Sequence, residues 1–193
     1  MQHLFCRQAP SRTLGSVVAV ILLIFPTILA GTSQAQESDK IVSAMHQIAD
    51  NWKAAVENGA FLLCSSGASD RCCCGGGPPT WCATKLSQDT TVSFDVKKTD
   101  SLVTPYLGIL TLNGVVEDSQ CTPTPDEVLA NSNFHPRYVA LEMIAYYNFD
   151  GHGFKLAGGN EKFQNGILPA LTVPSAHNTE VLSKYNLLSA ELK

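Results

Sequence analysis

The stretch from Ser38 to Asn58 constrains the fold most. Ile41, Met45, Ile48, Trp52 and Ala55 recur at three- and four-residue steps, and Val42, Ala49 and Val56 widen the stripe. That is the period of an amphipathic helix. Ser38 is placed to cap its start, since a side-chain oxygen there accepts from an unpaired first-turn amide. Asn58-Gly59 supplies a left-handed stop. One helix cannot bury such a stripe against itself, so the rest of the chain must offer an opposing surface.

That surface reads as sheet. Val92, Phe94 and Val96 alternate with Ser93, Asp95 and Lys97, the pattern of a half-buried strand. Asp100-Ser101 suggests a turn. A second extended region runs from Leu102 to Val116, with Pro105 marking its start or an edge. Asn113-Gly114 is a hairpin dipeptide, so Val115-Val116 would begin a return strand. Thr124 and Pro125 open a short helix over Pro123 to Asn131. Tyr138 to Phe149 is apolar on both alternations and rich in strand formers, with His135-Pro136 leading into it. Asp150-Gly151 turns the chain into Phe154-Lys155-Leu156, which Gly158-Gly159-Asn160 ends. Val181, Leu182, Tyr185 and Leu188 give the tail helical spacing.

Phe61 to Thr90 fits neither period. Cys72-Cys73-Cys74-Gly75-Gly76-Gly77-Pro78-Pro79 breaks any regular element, so residues 61–90 read as a long loop inserted outside the core. The fold class expected is α+β, with an N-terminal amphipathic helix on a curved antiparallel sheet and a cysteine-rich loop insertion. In architecture, though not in sequence, that layout is similar to cystatin-like and nuclear-transport-factor-like folds.

The first 35 residues have a different character. Arg7 and Arg12 precede an uncharged apolar run, Val17 to Ala30, and small or polar residues follow. This is the order of a secretory signal, with Ser33 and Ala35 fitting the small-x-small cleavage pattern. The run is shorter than the roughly 20 apolar residues of a spanning helix. Cleavage after Ala35 is therefore expected, leaving a single domain, residues 36–193, in a periplasmic or secreted setting with no stable membrane insertion.

That mature chain carries 11 basic and 17 acidic residues, a formal charge of −6 with scattered cations. Nucleic acid and anionic membrane are disfavoured as its main partner. Its six cysteines, Cys64, Cys72, Cys73, Cys74, Cys82 and Cys121, form an even set, and an oxidising compartment favours pairing them. Adjacent cysteines rarely bridge each other, so Cys72, Cys73 and Cys74 should reach different partners among Cys64, Cys82 and Cys121. The alternative is a thiolate site on Cys64, Cys72, Cys74 and Cys82 holding zinc or copper, although the paired-knuckle spacing of zinc modules is missing.

Catalytic motifs are absent: the sequence has no H-E-x-x-H, G-x-S-x-G, P-loop or G-x-G-x-x-G. Asp150 with His152 could pair as orienter and base, but Asp and Gly also shape turns. His46 reads as a boundary residue of the first helix. Asp95 and Glu142 could line a pocket with Tyr106, Tyr146 and Tyr147 if the sheet's concave face were open; otherwise both face water. The function expected is a non-enzymatic exported domain that binds a protein or small ligand or serves as an envelope accessory, without a cofactor. A small hydrolase or isomerase, or a thiolate metal binder, stands as the alternative.

Overall fold

The computed structural model describes residues 15–65, 80–131, 133–161, 167–171 and 173–192, with side chains described from residue 36 onward except at 137–140, 161 and 169. The chain divides into two compact units, Met1–Asp39 and Lys40–Lys193. In the first, the described residues are helical, the opening part of α1 (Gly15–Glu57). Among the described residues no helix is long and apolar enough to cross a membrane. The second unit holds the remainder of α1 and all of the sheet.

Ser38 lies inside α1 and not at its start, so it has no capping role. No proline interrupts residues 27–57, and the Gln-Ala-Gln-Glu run at 34–37 favours helix, so nothing ends the element there. The C-terminal stop is as expected: Gly59 adopts φ +63°, and its N–H bonds to Val56 O at 3.0 Å. Ile41, Ala44, Met45, Ile48, Ala49, Trp52, Ala55 and Val56 are buried. Val42, read as part of the stripe, is exposed.

The sheet contains β1 (Phe61–Ser65), β2 (Trp81–Leu86), β3 (Thr91–Lys98), β4 (Tyr106–Ser119), β5 (Phe134–Phe149), β6 (Gly153–Glu161) and β7 (Ser189–Glu191). Every pairing among the described residues is antiparallel. The order is β1-β2-β4-β5-β6-β7, with β3 also on β4. The long β4 thus holds β5 along one edge, with β3 and then β2 along the other. The sheet curves around the part of α1 in this unit, residues 40–57, giving a half-barrel α+β layout. Register shifts at Val115/Glu117 and Tyr146/Tyr147 mark bulges, which bend a strand and raise its twist. Gly108 lets helix and sheet approach closely: a Cβ there would stand 2.5 Å from Met45 Sδ.

Two expectations about the strands need the largest correction. Residues 61–90 are not all loop, because β1 and β2 pair across them, Phe61 with Lys85 through Ser65 with Trp81. Leu62, Leu63, Cys64, Cys82, Ala83 and Leu86 are buried. These strands are buried on both faces, so they lack the period-two pattern that reveals a half-exposed strand. The glycine- and proline-rich part, residues 66–79, lies outside the described residues. The second correction concerns Asn113-Gly114, which makes no turn; β4 runs straight through it. Gly114 is required for another reason. A Cβ would collide with Thr90, where the chain crosses from β2 to β3.

Other elements follow the sequence more closely. α2 (Pro125–Ala130) has Thr124 Oγ1 accepting from Glu127 N at 3.4 Å. β6 extends through Gly158-Gly159-Asn160 and does not stop there. The short α3 (Ile167–Ala170) and α4 (Ala176–Tyr185) precede β7; α4 is capped by Ser175 and ended by Asn186 at φ 48°.

Candidate functional site on the outer face of the sheet

Strand alternation sorts the candidate residues onto two faces. The inner set of β4 and β5 is Leu110, Leu112, Leu141, Met143, Ala145, Tyr147 and Phe149, all buried with the α1 stripe. Tyr106 belongs to this side, where it meets Phe149 edge-on at 5.8 Å. The outer set pairs row by row: Asp95 with Ile109 and Tyr146, Ser93 with Thr111 and Ile144, Lys97 with Leu107 and Asn148. Residues directly opposite in register share a face. Asp95 is exposed, while Leu107, Ile109, Glu142, Ile144 and Tyr146 are half-buried.

The pocket once conceivable from sequence therefore does not assemble. Asp95, Glu142 and Tyr146 stand on the outer face, whereas Tyr106 and Tyr147 point towards the helix. The concave side is filled by Met45, Ile48 and Trp52 packed against Leu110, Leu112, Met143 and Tyr147. Trp52 Nε1 donates to Tyr147 Oη at 2.9 Å, and Tyr147 Oη donates to Leu187 O at 2.9 Å. Burial pushes the Tyr147 hydroxyl up to about 12, against the smaller opposing pull of the Trp52 bond. A tyrosine so placed is a structural relay, without access to a substrate.

A small apolar recess remains near the end of α1. Trp52, Val56, Leu62, Leu86, Ile167 and Val181 line it, and its volume of about 20 Å³ is roughly that of one water molecule. It carries no ionisable group that could serve chemistry.

The Asp150–His152 pair resolves as turn geometry. Asp150 Oδ1 accepts from His152 N at 3.0 Å and Gly153 N at 3.1 Å, and Oδ2 faces Lys155 Nζ at 2.7 Å. The Lys155 bond, helped by these amides, holds the carboxyl down to about 2. The His152 side chain is exposed, and the residue's carbonyl accepts from Leu192 N. His46 Nδ1 lies 2.9 Å from Asp50 Oδ2 on the exposed side of α1. His177 stacks on Phe61 at 4.5 Å, and its Nε2 lies 3.0 Å from Phe61 O. His135 is exposed on β5 opposite Asp118. No two of these imidazoles meet.

The three described cysteines, Cys64, Cys82 and Cys121, lie at one end of the sheet. Cys64 and Cys82 are cross-strand partners, both buried. Cys121 precedes Thr122, whose N–H and C=O pair with Trp81, and all three sulfur-bearing residues pack in the same core cluster. Buried polar groups accompany them: Thr84 Oγ1 donates to Asp118 Oδ1, and Ser119 Oγ accepts from Ala83 N at 2.8 Å. Cys72, Cys73 and Cys74 lie outside the described residues. The four-cysteine metal set is thus only half described, and no group of three or more metal-ligating side chains occurs among the described residues.

Sequence reading missed the outer-face ribbon of Leu107, Ile109, Ile144 and Tyr146. Its signal was present: both alternations of β4 and β5 carry apolar residues, although only one alternation faces the helix. No protein-family model, curated protein or solved structure matches the chain.

Proposed function

We propose that the chain is an exported, non-enzymatic binding domain that engages a partner protein through the outer face of its sheet. The ribbon of Leu107, Ile109, Ile144 and Tyr146 carries this reading. These side chains sit at the centre of the widest strand pair, half-buried, with Asp95 and Glu142 at its border. Apolar centre and polar rim are the anatomy of a binding patch. The filled concave side supports a surface-based role over a pocket-based one. The layout of one helix on a curved sheet resembles the cystatin-like and nuclear-transport-factor-like architectures, in which the proposal places it.

The test is in-cell photocrosslinking. A photoreactive residue at Ile109 or Tyr146 is expected to give a discrete protein adduct, while one at Glu180, on the exposed side of α4, gives none. Equal labelling from both faces, or none from either, would overturn the assignment.

Export and pairing of the mature cysteines belong to the same proposal. Cleavage after Ala35 follows from the signal-like order of the first residues. Disulfide pairing is supported by the even count of mature cysteines and by Cys64, Cys82 and Cys121 packing in one core cluster. Intact mass of the secreted protein, alkylated without reduction, checks both. The expected species begins at Gln36 and takes up alkyl groups at most substoichiometrically. A chain retaining residues 1–35, or one carrying several alkyl groups and bound zinc or copper, contradicts it.

A further inference from the structure

We propose that the tip of the β3–β4 hairpin is a lipid-contact element that touches an anionic bilayer surface. The observation is a pair of apolar side chains held in water. Leu102 is 100% exposed and Val103 81% exposed, the largest exposures among the described hydrophobic residues.

Their exposure is built in by hydrogen bonds. Thr99 N donates to Pro105 O at 2.9 Å, and Thr99 Oγ1 donates to Thr104 O. Ser101 N donates back to Thr99 Oγ1 at 3.2 Å. Ser101 Oγ accepts from Val103 N at 3.3 Å and from Thr104 N at 3.1 Å. These side-chain bonds close the turn locally. They hold Leu102 and Val103 pointing away from the domain, where each costs hydration free energy and gains no contact within the fold.

Charge placement selects the occupant. Lys97 and Lys98 are exposed just behind the tip, and as neighbours in a strand they project from opposite faces of the hairpin. At about 3.3 Å per residue their backbones stand roughly 10–15 Å behind the tip. An apolar tip sunk about 5–10 Å into the headgroup and acyl boundary brings both ammonium groups to phosphate level. Long lysine stems suit that position, since the chain lies along apolar surface while the charge stays wet. Asp100 is the one carboxylate of the turn, so residues 97–106 keep a net positive charge. The rest of the chain is acidic, with a formal charge of −6 once the first 35 residues are removed, which confines the contact to this tip and keeps it reversible.

The contact does not depend on the outer-face ribbon. It is tested with the Leu102→Trp variant of the chain, which reports from the tip itself whatever the N-terminal residues do. The probes are vesicles of phosphatidylcholine alone and of phosphatidylcholine with phosphatidylglycerol, each with brominated acyl chains. Trp52 is buried and Trp81 half-buried, so a change in quenching reports residue 102. Quenching is expected on the anionic vesicles, weakening as salt is raised. Adding Lys97→Glu and Lys98→Glu should lower apparent partitioning by about tenfold or more. Far-UV circular dichroism of each variant checks that the fold is kept, as exposed positions predict. Absence of quenching on both vesicles overturns the proposal, which would leave an apolar protein pocket as the tip's receptor. Equal quenching on neutral and anionic vesicles, unchanged by the glutamates, overturns it as well.

Discussion

Substituting Asn178 by leucine is expected to destabilise the fold by about 4 kcal/mol. The residue is 1% exposed, at the start of α4. Its Oδ1 accepts from Leu63 N at 2.7 Å, and its Nδ2 donates to Leu63 O at 2.9 Å. Nδ2 also lies 3.1 Å from Ala170 O and from Val173 O. β1 ends the strand order on its side, and the Asn178 amide pairs with Leu63 as a neighbouring strand would. Leucine keeps the volume but leaves one buried donor and three buried acceptors without that partner, each loss costing about 1–3 kcal/mol where no water enters. Asn178→Asp keeps the acceptor but turns a carboxylate towards three carbonyls, so it should be at least as damaging at neutral pH. Urea unfolding followed by Trp fluorescence measures both. A loss below about 1 kcal/mol for leucine would show that the amide is not what seals this edge.

Asn178 also shows where sequence reading stops. The tail was legible as a helix from Val181, Leu182 and Tyr185, although Leu188, read with them, lies beyond its end at Tyr185. Nothing local marks Asn178 as the partner of a strand more than a hundred residues earlier. β1 and β2 were missed for a related reason. Burial on both faces erases alternation, and the glycine- and proline-rich stretch between them dominates the window. Strands with one face towards α1 and one away were legible, as Val92, Phe94 and Val96 in β3 demonstrate. Asn113-Gly114 misled because a dipeptide's turn preference is a weak local signal. The continuous ladder between β4 and β5 overrides it, and the glycine is retained for the crossing beneath Thr90.

The candidate site was legible only in its chemistry. Composition pointed to Asp95, Glu142 and three tyrosines as polar groups in a sheet, but face assignment depends on register, which a one-residue slip inverts. Register separates Tyr146 from Tyr147 and moves the carboxylates away from the helix. What was an imagined pocket becomes a buried relay on one side and a surface patch on the other.

That relay makes Tyr147→Phe the second large effect, with a pH signature that separates it from simple loss of packing. Removing the hydroxyl leaves Trp52 Nε1–H and Leu187 O without their partner in a fully buried site, a cost of about 2 kcal/mol at neutral pH. The parent protein should also lose stability in alkali through this group. Its folded-state value of about 12 exceeds the ordinary 10.0, so above pH 10 the unfolded chain releases the proton while the native chain retains it. Stability from this source is complete below pH 10 and falls as pH rises through about 12, by roughly 3 kcal/mol. The phenylalanine variant starts lower but should have a shallower decline across that window. A further comparison isolates the bond: with Trp52→Phe already in place, Tyr147→Phe should cost less than it does alone, because one of its two stranded partners is gone. Equal slopes for parent and variant between pH 10 and 12 would mean that Tyr147 titrates like an exposed phenol, and the bridge between α1, β5 and the C-terminal segment would then have to be assigned to packing alone.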